Sequence, residues 1–260
     1  MDNGSIDDTR TVISDFAPTA TCPVVVVSEP VAGLSRARNA GLRSARGDVI
    51  AFTDDDCYVA PDFLVQIEVV FATGEIGYYG GRVLLHDPSD DAITTQTRPH
   101  AVVLEPTSFI TPGFIHGANM AVRRDVVDAI GGFDVGLGPG TALYAADDTE
   151  FMGRASAGGW RGAYDPRPVV YHHHRRKAGR DAELLMQKYD YARGGYYVSC
   201  LLEPRLRLPC LRHIGHELKR RVQRTDFGPI VRELTGAIRF LAYKATHLDS
   251  IPSLRDSPAR

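Results

Sequence analysis

The chain lacks the features that mark a membrane-spanning, secreted or disulfide-stapled protein. Its longest apolar runs, such as residues 24–27, are far shorter than the ~20 residues that a membrane-spanning helix needs. The first residues include neither the basic nor the apolar segment of a secretion signal. Four cysteines in 260 residues form no Cys-x-x-Cys pair, which predicts reduced thiols in a cytosolic protein.

What is present is an ordinary globular composition with an uneven charge distribution. Apolar residues make up 43% and charged residues 24% of the chain, as in typical folded domains. Residues 205–244 hold ten Lys or Arg against three acidic residues, a balance of +7. Since the whole chain carries −2, the remainder carries −9. A basic segment on an acidic body predicts an anionic partner for that segment.

Short apolar runs alternate with helical patterns, which predicts an α/β fold. Residues 87–112 are polar and are predicted to form a long surface loop. Ser35 is predicted to cap the helix that follows it. The predicted strands lie at residues 24–27, 49–53, 80–85, 115–122, 160–164 and 168–171, and the predicted helices at about 35–46, 61–72, 125–130, 147–157 and from about 181 onward.

An acidic triplet follows the predicted strand at 49–53. Ligands of open α/β sheets bind at the carboxyl ends of strands, where Asp54 and Asp56 are placed with one residue between them. Two such carboxylates can bind a hard divalent cation or hydrogen-bond a sugar. The alternative interpretation is a solvated acidic turn.

Two further groups could carry chemistry. Asp147 and Asp148 open a predicted helix behind a Gly-rich loop, where one carboxylate could act as a general base. The alternative is that these acids only stabilise the positive end of the helix dipole. His172 and His174 follow the strand at 168–171 and share one face, and histidine is a common metal ligand. A chance basic run continuing into residues 175–177 is the alternative.

The order of these patterns resembles the family 2 glycosyltransferases of the GT-A fold. Residues 2–7 match Asp-x-Gly-Ser-x-Asp of that family, and residues 33–41 match Gly-x-Ser-x-Ala-Arg-Asn-x-Gly. The Asp-x-Asp of the acidic triplet is followed by Gly-Ala-Asn at 117–119, Gly-Gly-Phe-Asp at 131–134, Asp-Asp-Thr-Glu at 147–150 and His172. The resemblance covers about residues 2–175.

The resemblance implies a fold and a domain division. It implies an α/β, Rossmann-like sheet of the GT-A type, mixed but mostly parallel and flanked by helices. Residues 1–175 are expected to form the nucleotide-sugar transferase domain, and residues 176–260 a basic helical extension. Family members begin with a strand and a helix ahead of Asp-x-Gly-Ser, whereas this sequence starts at that Asp. We therefore expect an N-terminally truncated domain.

The resemblance also implies roles for single residues. Asp148 corresponds to the catalytic base. Asp56 and His172 correspond to ligands of Mg²⁺ or Mn²⁺. The residues implied on the nucleotide-sugar side are Asp2, Arg38, Asn39, Asp54 and Asp55, and those implied on the acceptor side are Asn119 and Asp147.

The implied activity is inverting, metal-dependent transfer of a sugar from a nucleotide-sugar donor to an acceptor hydroxyl. A truncated, non-catalytic glycosyltransferase that acts as a membrane-associated partner is one alternative, and a metal-dependent nucleotidyltransferase is another. The expected acceptor is a glycan or a lipid-linked molecule, and an anionic membrane surface is a further expected partner. Nucleic acid is not expected, because aromatic residues are sparse in the basic segment. The expected location is the cytoplasm or the inner face of the plasma membrane.

Overall fold

A computed structural model describes residues 1–254 of the chain. Six strands form one mixed sheet in the order β1-β5-β3-β6-β2, with β4 also paired to β6. Apolar, often β-branched residues dominate most of these strands, which suits a half-buried pleated surface. The strands are β1 (Val49–Phe52), β2 (Cys57–Val59), β3 (Tyr78–Leu85), β4 (Val102–Leu104), β5 (Met120–Arg123) and β6 (Gly162–His172).

The sheet is mixed, but parallel pairing is rarer than predicted. Among these six strands, β3 and β6 form the one parallel pair. β5 lies antiparallel between β1 and β3, and both β2 and β4 run antiparallel to β6. The predicted α/β class and mixed sheet are confirmed. The expectation of a mostly parallel sheet is wrong for the described strands, because β5 enters between two strands that run the same way.

Helices cover both faces of the sheet. On one face, Phe151, Met152 and Ala155 of α5 share a core with Tyr78 and Met120. On the other face, α3 packs against a second group of sheet residues that includes Tyr79 and Val170. The helices are α1 (Thr9–Phe16), α2 (Leu34–Ser44), α3 (Phe63–Phe71), α4 (Arg124–Ile130), α5 (Asp147–Ala157), α6 (Arg180–Leu202), α7 (Pro204–Gln223) and α8 (Gly228–Thr246).

The predicted buried strand at residues 24–27 is wrong. Val24, Val25 and Val26 are 36%, 70% and 47% exposed. Within the described chain, the ladder contact here is a single isolated bridge between Asp2 and Ser28. One bridge does not place a segment inside a sheet, so the β-branched run stays extended at the surface.

Two strand boundaries also differ from the prediction. The run at 115–122 becomes a strand only from Met120, because Gly117–Asn119 form a 3₁₀ turn. The two short strands predicted at 160–164 and 168–171 are one strand, β6, whose pairing with β3 is interrupted by an irregularity. An extra stretch of β6 at this irregularity separates two hydrophobic runs that looked independent in the sequence.

The predicted loop and helix cap are corrected as well. Residues 87–112 contain β4 and the fully buried Ile110, so this segment is not only a surface loop. The N-cap of α2 is Gly33 and not Ser35. The Ser35 hydroxyl instead donates a hydrogen bond to the Leu137 carbonyl oxygen at 2.8 Å, which fixes the Gly-rich loop on the start of α2.

The C-terminal part is helical, as predicted, and two of its helices cross at backbone contact. A Cβ atom added at Gly194 of α6 would lie 1.8 Å from the Glu233 carbonyl oxygen. A Cβ atom added at Gly236 of α8 would lie 1.9 Å from the Tyr191 carbonyl oxygen. Only glycine at these positions permits this approach. The domain division at residue 175 stays a prediction.

Two alanine variants test this crossing. We expect Gly236→Ala to lower the free energy of unfolding by about 1–3 kcal/mol, because the helices must separate. Gly215→Ala, whose Cβ meets nothing within 4 Å, is expected to raise it by up to ~1 kcal/mol through helix propensity. Chemical denaturation measures both values. A Gly236→Ala protein as stable as the Gly215→Ala control would contradict the crossing.

Candidate active site

The buried Arg38 side chain connects the two acidic clusters. Its Nη1 donates a hydrogen bond to Asp147 Oδ2 at 2.6 Å, and its Nη2 donates to Asp54 Oδ1 at 3.2 Å. Arg38 and Asp147 are almost fully buried, whereas Asp54 is partly exposed. One guanidinium therefore fixes α2, the turn after β1 and the first turn of α5 against one another.

The charge state of Asp147 is sensitive to this arrangement. Burial raises the pKa of Asp147 to about 6, an effect that the Arg38 guanidinium opposes and the Asp148 carboxylate reinforces. Burial alone would lower the pKa of Arg38, but the Asp147 and Asp54 carboxylates outweigh it and raise this pKa. The guanidinium thus stays charged, and the protonation of Asp147 is the variable part of the pair.

Asp148 is held in a fixed orientation beside this pair. Its Oδ2 accepts a hydrogen bond from the Gly117 amide at 2.7 Å, and its Oδ1 accepts one from the Thr149 amide at 2.6 Å. Gly117 allows this approach because any side chain there would meet the Arg38 guanidinium. The half-buried Asp148 carboxylate is therefore positioned by the backbone without being closed off from the surface.

The predicted metal ligands Asp56 and His172 lie together. Asp56 Oδ2 and His172 Nε2 are 3.2 Å apart, because β2 pairs with β6 so that Cys57 stands opposite His172. His172 Nδ1 lies 3.2 Å from the Thr94 hydroxyl, which orients the ring so that Nε2 faces the carboxylate. The neighbouring Asp55 is exposed.

The donor atoms around Asp56 suit a divalent cation. The ligand atoms of Asp56, Cys57 and His172 all lie within 4.8 Å of one another. Burial lowers the pKa of His172, but the hydrogen bond and charge of Asp56 outweigh it and raise that pKa above its usual value. A carboxylate oxygen and an imidazole nitrogen at this separation fit around one ion.

Asp2 lies in the N-terminal segment, and its contacts are local. Its carboxylate accepts hydrogen bonds from the Ser5 amide at 2.9 Å and from the Arg10 side chain. The Ser5 and Arg10 hydrogen bonds lower the pKa of Asp2 to about 2. The carboxylate is therefore charged and ordered, and its nucleotide contact stays a prediction.

Asn39 holds a turn next to the site. Its Oδ1 accepts a hydrogen bond from the Phe133 amide at 2.7 Å, and its Nδ2 donates to the Phe133 carbonyl at 2.9 Å. The adjacent Asp134 is fully buried and pairs with Lys244 of α8 at 2.7 Å. The Gly-Gly-Phe-Asp motif thus links α2 to α8, and a direct contact between Asn39 and a nucleotide stays a prediction.

Asn119, which the resemblance implies on the acceptor side, is enclosed in the sheet, and its contact with an acceptor stays a prediction. Asn119 is 0% exposed. Its Oδ1 accepts a hydrogen bond from the Tyr79 hydroxyl at 3.0 Å, and its Nδ2 donates to the carbonyls of Arg82 and Pro168. These bonds connect β3 and β6 where their register changes, so this amide stabilises the sheet irregularity.

Sequence reasoning missed two residues near the carboxylates. His116 precedes Gly117, and its Nε2 is buried with no hydrogen-bond partner among residues 1–254. Tyr189 of α6 is partly buried, and burial, with a smaller contribution from the Asp148 carboxylate, raises its pKa to about 12. Neither residue belongs to a spaced motif, and only the packing of α6 onto the site reveals Tyr189.

The helix-flanked mixed sheet, with carboxylates after β1 and at the start of α5, matches the architecture expected of a GT-A-type protein. A family model described as "Glycosyl transferase family 2" matches residues 1–131. The chain therefore belongs to glycosyl transferase family 2.

Curated relatives agree with this assignment. Glycosyltransferase AglE of Haloferax volcanii is 24% identical over 202 residues, which cover 77% of this chain and 63% of that protein. An uncharacterized glycosyltransferase of Nostoc sp., alr2836, is 34% identical over 76 residues, which cover 29% of this chain and 24% of that protein. The chain thus spans less than two thirds of the length of either relative.

Solved structures show the same fold. The mannosyltransferase PcManGT of Pyrobaculum calidifontis, in complex with GDP-Man and Mn²⁺, superposes with a TM-score of 0.59 at 19% identity, covering 94% of this chain and 64% of that one. TarS 1–349 of S. aureus, in complex with UDP-GlcNAc, gives a TM-score of 0.57 at 14% identity, covering 96% and 71%. These similarities confirm the GT-A fold.

Carbon-13 NMR titration tests the electrostatics around Arg38. We expect the Asp147 carboxyl to titrate with a pKa of about 6. Replacing the guanidinium in Arg38→Gln should raise this pKa further, because the positive charge that opposes the burial effect is lost. Arg43→Gln, an exposed arginine on the same helix, is the control and should change nothing. An Asp147 pKa near 4 in both the native protein and Arg38→Gln would contradict this arrangement.

Proposed function

We propose that the protein transfers a sugar from a nucleotide-sugar donor to an acceptor hydroxyl with inversion, in a divalent-metal-dependent reaction. The observation that carries the proposal is the convergence of both acidic clusters on Arg38, beside the Asp56–His172 pair. Membership of family 2 supports transfer of a sugar and weighs against the nucleotidyltransferase alternative.

Asp56 and His172 are the residues that would hold Mg²⁺ or Mn²⁺. When bound, such a cation supplies a Lewis acid that neutralises charge on a leaving diphosphate. The Mn²⁺ in the structure of PcManGT supports a divalent metal in this fold. Thr94 contributes by fixing the orientation of the His172 ring.

Asp148 is the proposed general base. Its carboxylate is fixed by the Gly117 and Thr149 amides, so it is positioned before an acceptor arrives. As the acceptor oxygen attacks the anomeric carbon, its proton passes to Asp148. The bond from that carbon to the diphosphate breaks on the opposite side, and the diphosphate takes the electron pair. Because the acceptor oxygen attacks one face of the anomeric carbon and the diphosphate leaves from the other, the configuration at that carbon is inverted.

Arg38 and Asp54 are proposed to lie on the nucleotide-sugar side of the site, and Asp147 on the acceptor side. Asp54 is partly exposed and Asp55 is exposed at the turn after β1, where their carboxylates can accept hydrogen bonds from ribose or sugar hydroxyls. Asp147 is buried against Arg38 and serves to keep that guanidinium in place. Asp2 is proposed to contact the nucleotide from the N-terminal segment.

The acceptor is proposed to be a glycan or a lipid-linked molecule presented at the inner face of a membrane. The basic C-terminal helices support this proposal, because an anionic surface complements their charge. The enzyme would then act in the cytoplasm, as a peripheral protein.

Asp148→Asn tests the base. We expect transfer to fall by ~10²–10⁴-fold, since the amide cannot accept the proton, while nucleotide-sugar binding remains. Single-turnover transfer and calorimetry measure the two properties. Asp15→Asn, which changes an exposed acid on α1, is the control. Transfer at the native rate in Asp148→Asn would eliminate Asp148 as the base, and no transfer by the native protein with any donor would favour the non-catalytic alternative.

Asp56→Ala tests the metal ligands. We expect calorimetry with Mn²⁺ and a nucleoside diphosphate to show at least tenfold weaker Mn²⁺-dependent binding, because one of two close ligands is removed. Asp62→Ala, an exposed acid just beyond β2, should bind as the native protein does. Unchanged Mn²⁺-dependent affinity in Asp56→Ala would refute the assignment.

A further inference from the structure

Helix α7 has two apolar faces, and the fold uses one of them. Leu206, Cys210 and Ile214 face inward and share a core with Tyr196 and Cys200 of α6. A second row stands outward along the helix at intervals of three or four residues, as positions on one helical face do. This outer α7 stripe consists of Leu208, Leu211, Gly215, Leu218 and Val222, whose four large side chains are 46–55% exposed.

Helix α8 repeats this design. Ala237 and Phe240 face inward against Val198 of α6, and Gly236 lies at the helix crossing. The opposite face again carries large apolar side chains three or four residues apart. This outer α8 stripe consists of Val231, Leu234, Ile238 and Leu241, which are 48–67% exposed.

Basic side chains border the outer α7 stripe. Helix α7 contains six Lys or Arg and one acidic residue, Glu217. The inward Arg221 is paired with Glu233 and Glu217. The exposed Arg212 and Lys219 each directly follow a leucine of the stripe. Apolar residues flanked by cations are typical of a helix that lies at a membrane interface.

The length and composition of these helices fit contact with a bilayer surface. None of the helices within residues 1–254 is long and apolar enough to cross a membrane. The 20 residues of α7 extend over about 30 Å. A helix that long, with one stripe exposed, can lie along a surface while its other face stays packed on α6.

We propose that the outer α7 stripe binds the surface of a bilayer that contains anionic lipid. The charge of α7 favours an anionic bilayer over a second copy of the chain as the binding partner. Two strongly basic α7 helices facing each other would repel. Apolar side chains enter the headgroup region, and Arg212 and Lys219 reach the lipid phosphates. The inference deepens the proposed function, since a lipid-linked acceptor would lie at such a surface.

The same helix contacts the catalytic region. The inward face of α7 shares its core with Phe109 and Ala146, and Ala146 immediately precedes Asp147. Binding through α7 would therefore hold the start of α5 at a fixed position relative to the bilayer. The acidic groups at the start of α5 would then lie at a fixed height above the bilayer that carries a lipid-linked hydroxyl.

Vesicle flotation tests the stripe. We expect the native protein to float with phosphatidylcholine vesicles that contain about 30% phosphatidylglycerol at low salt, and to dissociate as salt rises. The double variant Leu211→Gln, Leu218→Gln should bind more than tenfold more weakly, because two apolar side chains leave the interface. The matched control Leu64→Gln, Val65→Gln changes two exposed apolar residues of α3 and should float as the native protein does.

A charge series tests the selection of anionic lipid. Neutralising Arg212 and Lys219 as Arg212→Gln, Lys219→Gln should weaken binding by roughly 25-fold, at about fivefold per charge near the surface. Arg43→Gln, Arg180→Gln removes two exposed cations outside α7 and should bind as the native protein does. Equal effects of the two charge variants would show a general electrostatic attraction and overturn the assignment to α7.

Other outcomes overturn the proposal outright. Absence of flotation by the native protein at low salt would do so. A dimer in light scattering that Leu211→Gln, Leu218→Gln converts to a monomer, without vesicle binding, would assign the stripe to a second copy. Calorimetric binding of a nucleoside diphosphate with Mn²⁺ reports on the proposed function separately, so intact nucleotide binding without flotation would refute only the membrane contact.

Discussion

A buried guanidinium organises the acidic edge of this protein. Arg38 forms ion pairs with both Asp54 and Asp147, which come from segments far apart in the chain. Without a cation between them, carboxylates this close would repel, and the buried one would lose its charge. Because Arg38 holds the turn after β1 against the first turn of α5, the neighbouring Asp148 and Asp56 are brought to the same edge of the sheet.

The sequence predicted which acidic and histidine side chains lie together better than it predicted the polar residues that support them. Asp56 and His172 were identifiable because carboxylate and imidazole residues directly follow apolar strands. Asn119 and Asp134 belong to the same motif series, yet both are buried and hold the fold together. Spacing alone cannot separate a polar group that faces a ligand from one that satisfies buried backbone, since both must be polar.

The α/β class of the fold could be predicted from the sequence, whereas the order and direction in which the strands pair could not. Period and composition identify β1, β3 and α5, whereas the antiparallel entry of β5 depends on long-range packing that leaves no local signal. The exposed run at residues 24–27 reads as a buried strand for the same reason. The outward apolar stripes of α7 and α8 can likewise be recognised only when the structure shows that their inward faces pack against α6.

Paramagnetic broadening by Mn²⁺ shows whether Asp56 and His172 hold the proposed cation at a nucleotide site organised by Arg38. Substoichiometric Mn²⁺ with UDP or GDP is added while the histidine ring signals are followed by NMR. We expect the His172 signals to broaden first, whereas those of His213 and His216 on α7 stay sharp. Asp56→Ala should remove this difference. Equal broadening of all three histidines, or none at His172, would contradict the assignment of these metal ligands.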